Sequence, residues 1–147
     1  MMRTVRFHGA WVIQASRASV YELMTDFEKW PERFPKMVKA IRVVQRNEKS
    51  ASLEGEFNLV GRRGRGVMNI RLHPPSGYDA DNTSDELGKE KESIRFDEVP
   101  GGTLYRWEVN AEPTGLLTPL LGRLFGFYVR RFYERTLITP LKKAVEE

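Results

Sequence analysis

The chain has 147 residues, of which 40% are hydrophobic and 30% are charged, a composition typical of a folded protein. The length favours a single domain over residues 1–147. The absence of cysteine excludes disulfides, thiolate nucleophiles and cysteine-type zinc sites. The net charge of +4 comes from 24 basic residues interleaved with 20 acidic ones, which favours a mixed solvated surface and disfavours nucleic-acid binding.

The sequence contains no apolar run long enough to cross a bilayer. Its first residues alternate in polarity and do not form the apolar stretch of a signal peptide. Together with the absence of cysteine, which is compatible with a reducing compartment, these features lead us to expect a cytoplasmic protein.

Seven segments show the alternation of apolar and polar residues, or the turn-bounded length, that is typical of β-strands. In chain order they are residues 4–14, 38–46, 51–60, 67–73, 78–84, 90–98 and 104–111. Between the first two strands, apolar residues recur at three- and four-residue steps from Val20 to Phe27, which predicts a short amphipathic helix. The two prolines of Trp30–Pro35 allow only one further helical turn after it.

The glycine-rich stretch Gly61–Gly66 contains three arginines. It lacks the Lys-Ser/Thr pair of a phosphate-binding loop and precedes a strand, so neither nucleotide-binding fingerprint applies. We interpret it as a flexible loop between two strands, with a solvated basic edge. The alternative is an anion contact by Arg62, Arg63 and Arg65 to RNA, a lipid headgroup or an acidic ligand tail.

The last segment, Leu116–Val145, has the periodicity of one long helix. At 1.5 Å rise per residue such a helix is about 45 Å long, whereas a compact chain of this size has a radius of gyration of about 15 Å, so the helix crosses the whole molecule. Its apolar face rotates beyond Phe132. Gly122, Gly126 and Pro140 are the positions at which we expect it to bend.

A family resemblance is carried mainly by the segment Val20–Pro35, with the sequence VYELMTDFEKWPERFP. This segment resembles a stretch found in the polyketide cyclase/dehydrase and coenzyme Q-binding branches of the START and Bet v 1-like superfamily. The turn Pro100–Thr103, which precedes an aromatic strand, is similar to the late hairpin of the same family. The resemblance covers nearly the whole chain.

The resemblance implies an α+β fold of the helix-grip type. In this fold a curved seven-stranded antiparallel sheet wraps around a long C-terminal helix, and two short helices follow strand 1. One helix about 10 Å wide leaves part of the concave face of a curved sheet unfilled. We therefore expect an internal cavity between the sheet and the C-terminal helix.

The wall of this cavity is expected to consist of large apolar residues, some of them aromatic with a polar tip that can hydrogen-bond an apolar guest. The predicted ligand-binding residues are Trp11, Phe57, Met68, Ile70, Phe96, Tyr105, Trp107, Leu121, Phe125, Tyr128 and Phe132. Each of them alone fits core packing as well as ligand contact, so the prediction rests on the architecture.

No catalytic constellation stands out in the sequence. The polar candidates for acid–base chemistry are Asn58, Arg71, Asn82, Tyr105 and Glu108. Strand parity places Arg71 and Glu108 on the outer face, and we predict no pair of carboxylates placed to act together. Because His8 and His73 lack the spacing of metal ligands, we expect no metal site, and nothing indicates a cofactor.

The leading hypothesis is a non-enzymatic binder or carrier of a hydrophobic small molecule, such as a lipid, an isoprenoid quinone or a polyketide-like compound. One alternative is a cyclase or dehydratase that uses the same pocket. Another is a module that contacts the ribosome, RNA or a chaperone. The segment Leu116–Phe127 is apolar nearly all round, which predicts a peripheral contact with a membrane or a protein partner. The sequence carries no signal for a particular oligomeric state.

Overall fold

The computed structural model describes residues 4–59, 62–85, 88–112 and 119–146, without the side chains of residues 59, 62 and 119–124. Its strands are β1 (Val5–Ile13), β2 (Val38–Arg46), β3 (Ser50–Leu59), β4 (Arg62–His73), β5 (Gly77–Ser84), β6 (Gly88–Val99) and β7 (Gly102–Ala111). They form one antiparallel seven-stranded sheet in the order β1-β7-β6-β5-β4-β3-β2. The predicted helix-grip fold is thereby confirmed.

The helical segments precede and follow the main run of strands. They are α1 (Arg17–Thr25), a 3-10 turn (Phe27–Lys29), α2 (Trp30–Arg33), α3 (Pro119–Tyr133), a π-helical turn (Glu134–Ile138) and α4 (Thr139–Val145). Ser16 caps α1, because its Oγ accepts a hydrogen bond from the Ser19 backbone N–H at 3.1 Å. Among the described residues, no helix is long and apolar enough to span a membrane.

The C-terminal helix is interrupted by its π-helical turn. Pro140 lacks an N–H group, and in a regular α-helix its ring would clash with the carbonyl of Thr136. The chain widens here, so that the Thr139 N–H bonds to the Glu134 carbonyl five residues earlier. The wider turn rotates the side chains that follow it, which explains why the apolar pattern shifts after Phe132.

The other two predicted bend positions do not coincide with an irregular turn. Gly122 and Gly126 both lie within the α-helical hydrogen bonding of α3. A glycine weakens a helix by about 1 kcal/mol but leaves its backbone hydrogen bonds intact, whereas a proline removes one of them. Bending is therefore expected at Pro140 and not at the glycines.

The prediction of a flexible loop at Gly61–Gly66 is wrong, because β4 already begins at Arg62. In the β3–β4 register, Gly64 lies opposite Phe57. A Cβ atom at Gly66 would lie 3.3 Å from a backbone oxygen and 3.5 Å from the Phe57 ring. Gly66 therefore allows a close approach to the backbone of the neighbouring strand, and the glycines obscure the alternation of polarity along β4.

A densely packed core lies where α1 meets α4 and the sheet. Ile13, Val20, Met24, Phe96 and Leu141 are completely buried there. The helix α1 contacts β6, β7 and α4, whereas α3 contacts β1. The C-terminal helix therefore lies against a solid core at one end.

Candidate ligand-binding cavity

A cavity of about 390 Å³ lies between the concave face of the sheet and the C-terminal helix. Its apolar wall comes from the sheet, from α2 and from the helix. The main contributors are Phe7, Phe57, Met68, Ile94, Trp107 and Val109 on strands, Trp30 and Phe34 at α2, and Phe125, Val129, Phe132, Tyr133 and Leu137 on the helix. A cavity of this kind is the expected result of one helix against a curved sheet.

The cavity is not fully closed to solvent. Three residues that border it are exposed, namely Val67 at 41%, Phe125 at 42%, and Thr83. Val67 and Thr83 are register partners on β4 and β5, and Phe125 belongs to α3. Val67 alternates with the buried Met68 and Thr83 with Asn82, so the first of each pair belongs to the outer face of the sheet, and Phe125 is the exposed residue on the inner side.

Five of the eleven residues predicted from sequence border the cavity. They are Phe57, Met68, Trp107, Phe125 and Phe132. Four others, Trp11, Ile70, Phe96 and Tyr105, are buried but do not border it. Alternation along a strand identifies the inner face but does not separate a cavity wall from solid core on that face. That the five bind a ligand stays a prediction.

The remaining two predicted residues lie on α3. Tyr128, expected on the wall, is 54% exposed and does not border the cavity. The side chain of Leu121 lies outside the described part of the chain. The helical pattern predicts a broader apolar face than the structure shows, because Phe127 and Tyr128 on α3 face solvent.

A polar cluster interrupts the apolar wall and consists of Asn82, Glu90 and Glu92. We call it the acidic cluster. Asn82 Nδ2 donates to Glu90 Oε1 at 3.0 Å and to Glu92 Oε1 at 3.5 Å. Glu92 Oε2 accepts a hydrogen bond from Trp107 Nε1 at 2.9 Å. The Asn82 Oδ1 atom is buried and has no hydrogen-bond partner. The sequence predicts no pair of carboxylates placed to act together, whereas the structure brings two of them to one amide on the cavity wall.

The strand pattern explains how two glutamates reach the inner face. Glu90 and Glu92 have the same parity on β6 as Ile94 and Phe96, which are buried. Asn82 is the register partner of Glu90 on the neighbouring strand β5. The alternation that identifies the inward-facing apolar residues also places these two carboxylates inward. They escape prediction when charged residues are assumed to face outward.

The electrostatics of the acidic cluster follow from its partial burial and from its two like charges. Burial raises the pKa of Glu92 to about 7, with a further increase from the charge of Glu90. Hydrogen bonds from Trp107 and Asn82 offset only part of this effect. Burial also raises the pKa of Glu90. The described residues that border the cavity include no lysine, arginine or histidine, so no basic side chain of the wall balances the pair.

An aromatic stack supports the wall next to the cluster. The rings of Trp107 and Tyr133 stack with centroids 4.1 Å apart, and Trp11 stacks on Tyr133 at 5.7 Å. The Tyr133 hydroxyl is hydrogen-bonded to that of Tyr105, and Trp11 Nε1 donates to Glu134 Oε1 at 3.0 Å. These contacts attach the end of α3 to the sheet and hold Trp107 in place beside the cluster.

The surface predicted to contact a membrane or partner is only partly described. Residues 116–118 and the side chains of 119–124 lie outside the described residues. Phe127 is 75% exposed, and Arg130 and Arg131 farther along α3 are also exposed. A peripheral contact through this segment stays a prediction. Among the described residues, no group of histidine, aspartate and glutamate could hold a metal ion.

A family model described as polyketide cyclase/dehydrase and lipid transport matches residues 4–146. The chain belongs to this family. Membership supports a role in binding a hydrophobic small molecule or in cyclisation, and it does not single out the coenzyme Q-binding branch. Among proteins with curated functions, none matches this family member at a significant level.

Solved structures similar to this family member include a START superfamily protein from Mycobacterium smegmatis, with 17% identity, 96% of this chain and 97% of that chain covered, and a TM-score of 0.74. The Zhui aromatase/cyclase from Streptomyces sp. R1128 has 15% identity, 99% and 94% coverage, and a TM-score of 0.75. The di-domain aromatase/cyclase BexL of the BE-7585A biosynthetic pathway has 18% identity, 98% and 50% coverage, and a TM-score of 0.79. At these identities the likeness shows the fold.

Proposed function

We propose that this protein binds a hydrophobic small molecule in the cavity between the sheet and the C-terminal helix. The observation that carries the proposal is the cavity of about 390 Å³, with an apolar wall and one polar cluster. Ligand sites in proteins have this composition, with a mostly apolar lining and a few polar groups that orient the guest. Lipids, isoprenoid quinones and polyketide-like compounds all combine an apolar body with a few polar groups.

The energetics of the cavity support an occupant. An apolar cavity costs about 24 cal/mol per Å³ when it stays empty, so 390 Å³ corresponds to about 9 kcal/mol. The whole free energy of unfolding of a domain is about 5–15 kcal/mol. A cavity of this size that stayed dry would therefore cost about as much as folding provides. Because this cavity is in contact with solvent, water or a ligand fills it, and a ligand that displaces the water stabilises the folded state.

The test is binding of Nile red, an uncharged apolar dye, to the wild-type protein and to Val129→Trp. Val129 is half-buried on α3 and borders the cavity, so a tryptophan there fills space that the dye needs. We expect one dye per chain in the wild type and at least tenfold weaker binding in V129W, measured by fluorescence titration. Native mass spectrometry after gentle purification would show any co-purified ligand directly.

The matched control is Val44→Trp. Val44 lies on β2, is 51% exposed and does not border the cavity, so the same substitution there should leave the dye affinity unchanged. Equal binding by wild type and folded V129W would place the dye elsewhere and contradict the proposal.

A cyclase or dehydratase activity is the second candidate, and Glu92 is the observation that favours it. A carboxyl group whose burial raises its pKa to about 7 can both accept and donate a proton at neutral pH. Such a group could take the proton next to a carbonyl or release one to a leaving hydroxyl. With linear poly-β-ketone substrates, Glu92→Gln should abolish turnover while Nile red binding persists. If the wild type shows no turnover, the enzymatic role is contradicted and the binding role remains.

A further inference from the structure

We propose that the ligand of this cavity carries a protonated amine that is bound at the acidic cluster. The inference rests on the proposed function, because it names the chemical class of the molecule that the same cavity takes. It follows from the hydrogen-bond capacity of the cluster, from its charge and from the composition of the surrounding wall.

The acidic cluster contains more hydrogen-bond acceptors than donors. The amide of Asn82 is shared between Glu90 and Glu92 at 3.0 and 3.5 Å, and Trp107 supplies one further donor to Glu92. The Asn82 Oδ1 atom is buried without a donor, although buried acceptors are nearly always satisfied. A ligand that brings donors to the two carboxylates, and no further acceptor, reduces this imbalance. An ammonium group has three N–H donors and no acceptor.

The charge of the cluster points in the same direction. Glu90 and Glu92 are two residues apart on one face of β6, so ionisation of both places two negative charges in a partly buried site. The described residues bordering the cavity include no basic side chain that offsets them. A cation removes this repulsion, whereas a carboxylate ligand adds a third negative charge.

The other titratable groups around Glu92 are tyrosines. Tyr78, Tyr105 and Tyr133 approach it from β5, β7 and α3, and burial raises the pKa of each well above its ordinary value. They are therefore uncharged at neutral pH. The pH dependence of cation binding is then determined by the two glutamates and by the amine itself.

The rest of the wall selects for an apolar body on the amine. Away from the cluster, the cavity is bordered largely by aromatic and aliphatic side chains, among them Phe57, Met68, Ile94 and Val109. A small hydrophilic amine would leave this surface in contact with water. A hydrophobic amine can cover this apolar surface and, in the same bound position, pair its positive charge with the glutamates.

The experiment compares three ligands that share one naphthyl body: 1-naphthylmethylamine, 1-naphthylmethanol and 1-naphthoic acid. Their affinities are measured by calorimetry and by displacement of Nile red at pH 8. We expect the amine to bind at least tenfold more tightly than the alcohol, and the acid to bind most weakly. The chain has a net charge of +4, so long-range attraction favours the acid, and a preference for the amine reports the local cluster.

The pH and the variants identify the source of the preference. At pH 6 Glu92 is mostly protonated, so the preference for the amine should fall severalfold, while the affinity for the alcohol changes little. Glu92→Gln and Glu90→Gln should each reduce the preference for the amine over the alcohol to about threefold or less. The control is Glu98→Gln, on the same strand but with a 73% exposed side chain outside the cavity, which should leave the preference unchanged.

The outcomes separate this inference from the proposed function. If the amine and the alcohol bind equally and both displace Nile red, the inference of an amine ligand is wrong, and the cavity remains a site for hydrophobic ligands. A preference for the amine that survives in both glutamine variants also overturns it, because the charge would then lie elsewhere. If Nile red itself fails to bind, the proposed function fails and this inference fails with it.

Discussion

The two halves of the C-terminal helix differ in their packing, because α3 contacts β1 while α4 contacts α1 and α2. Around the π-helical turn and α4, Thr136, Ile138 and Leu141 are buried. On α3, Phe125 and Phe127 are 42% and 75% exposed, although both are aromatic. The first half therefore borders the cavity and solvent, whereas α4 completes a solid core beyond the π-helical turn, whose Leu137 still borders the cavity.

This difference indicates that the two ends of the helix contribute differently. The packed end, α4, contributes mainly to stability, and the hollow end, α3, contributes mainly to binding. The end beyond the π-helical turn removes apolar side chains from water, which is the main favourable contribution to folding. The end before it leaves space that a ligand can occupy. Substitutions at the two ends should therefore separate loss of stability from loss of binding.

The largest effect on stability is expected at the packed end. Leu141→Ala removes a completely buried side chain and should lower the free energy of unfolding by about 2–5 kcal/mol. Phe125→Ala at the hollow end removes a side chain that is 42% exposed, and we expect a loss of about 1 kcal/mol. Urea unfolding of both variants measures the comparison. Equal losses would show that the helix is packed uniformly.

The free energy of unfolding is expected to change with pH by about 3 kcal/mol because of Glu92, which borders the cavity from β6. The pKa of Glu92 is raised from 4.5 to about 7 in the folded protein, so between these values the folded state holds a proton that the unfolded chain has released. The free energy of unfolding therefore falls as the pH rises through this window. The full difference corresponds to about 3 kcal/mol.

Glu92→Gln removes this titration, because glutamine stays uncharged. Urea unfolding should show E92Q to be more stable than the wild type at pH 8, by up to about 3 kcal/mol more than at pH 4.5. Glu98→Gln changes an exposed carboxyl on the same strand and should show no comparable dependence on pH. A stability difference between E92Q and the wild type that stays constant from pH 4.5 to 8 would contradict the assignment.

The architecture could be predicted from the sequence because it depends on alternation and on one family motif. The weakest strand pattern, residues 78–84, is nevertheless confirmed as β5. The glycine-rich start of β4 escaped prediction because glycines have no polarity to alternate, and because the close approach of Gly66 to the Thr83 backbone is a contact between strands. Such a contact is absent from local sequence patterns.

The site was less predictable than the fold. Parity distinguishes the inner face of the sheet from the outer, but Trp107 borders the cavity while Tyr105, two residues away on the same face, does not. The position of the cavity depends on where the helix packs, which is a tertiary property. The sequence places Glu90 and Glu92 on the inward-facing parity of β6. They were not predicted as a buried pair because burial of two carboxylates is costly and is not the usual expectation.

The positions of the tryptophans give the molecule an internal optical signal. Trp30 and Trp107 border the cavity, and Trp11, the third of the three, stacks on the same tyrosine as Trp107. The emission of an indole depends on the polarity and the quenching groups around it. Filling or emptying the cavity therefore changes the surroundings of two of the three fluorophores, so occupancy can be followed in the unlabelled protein.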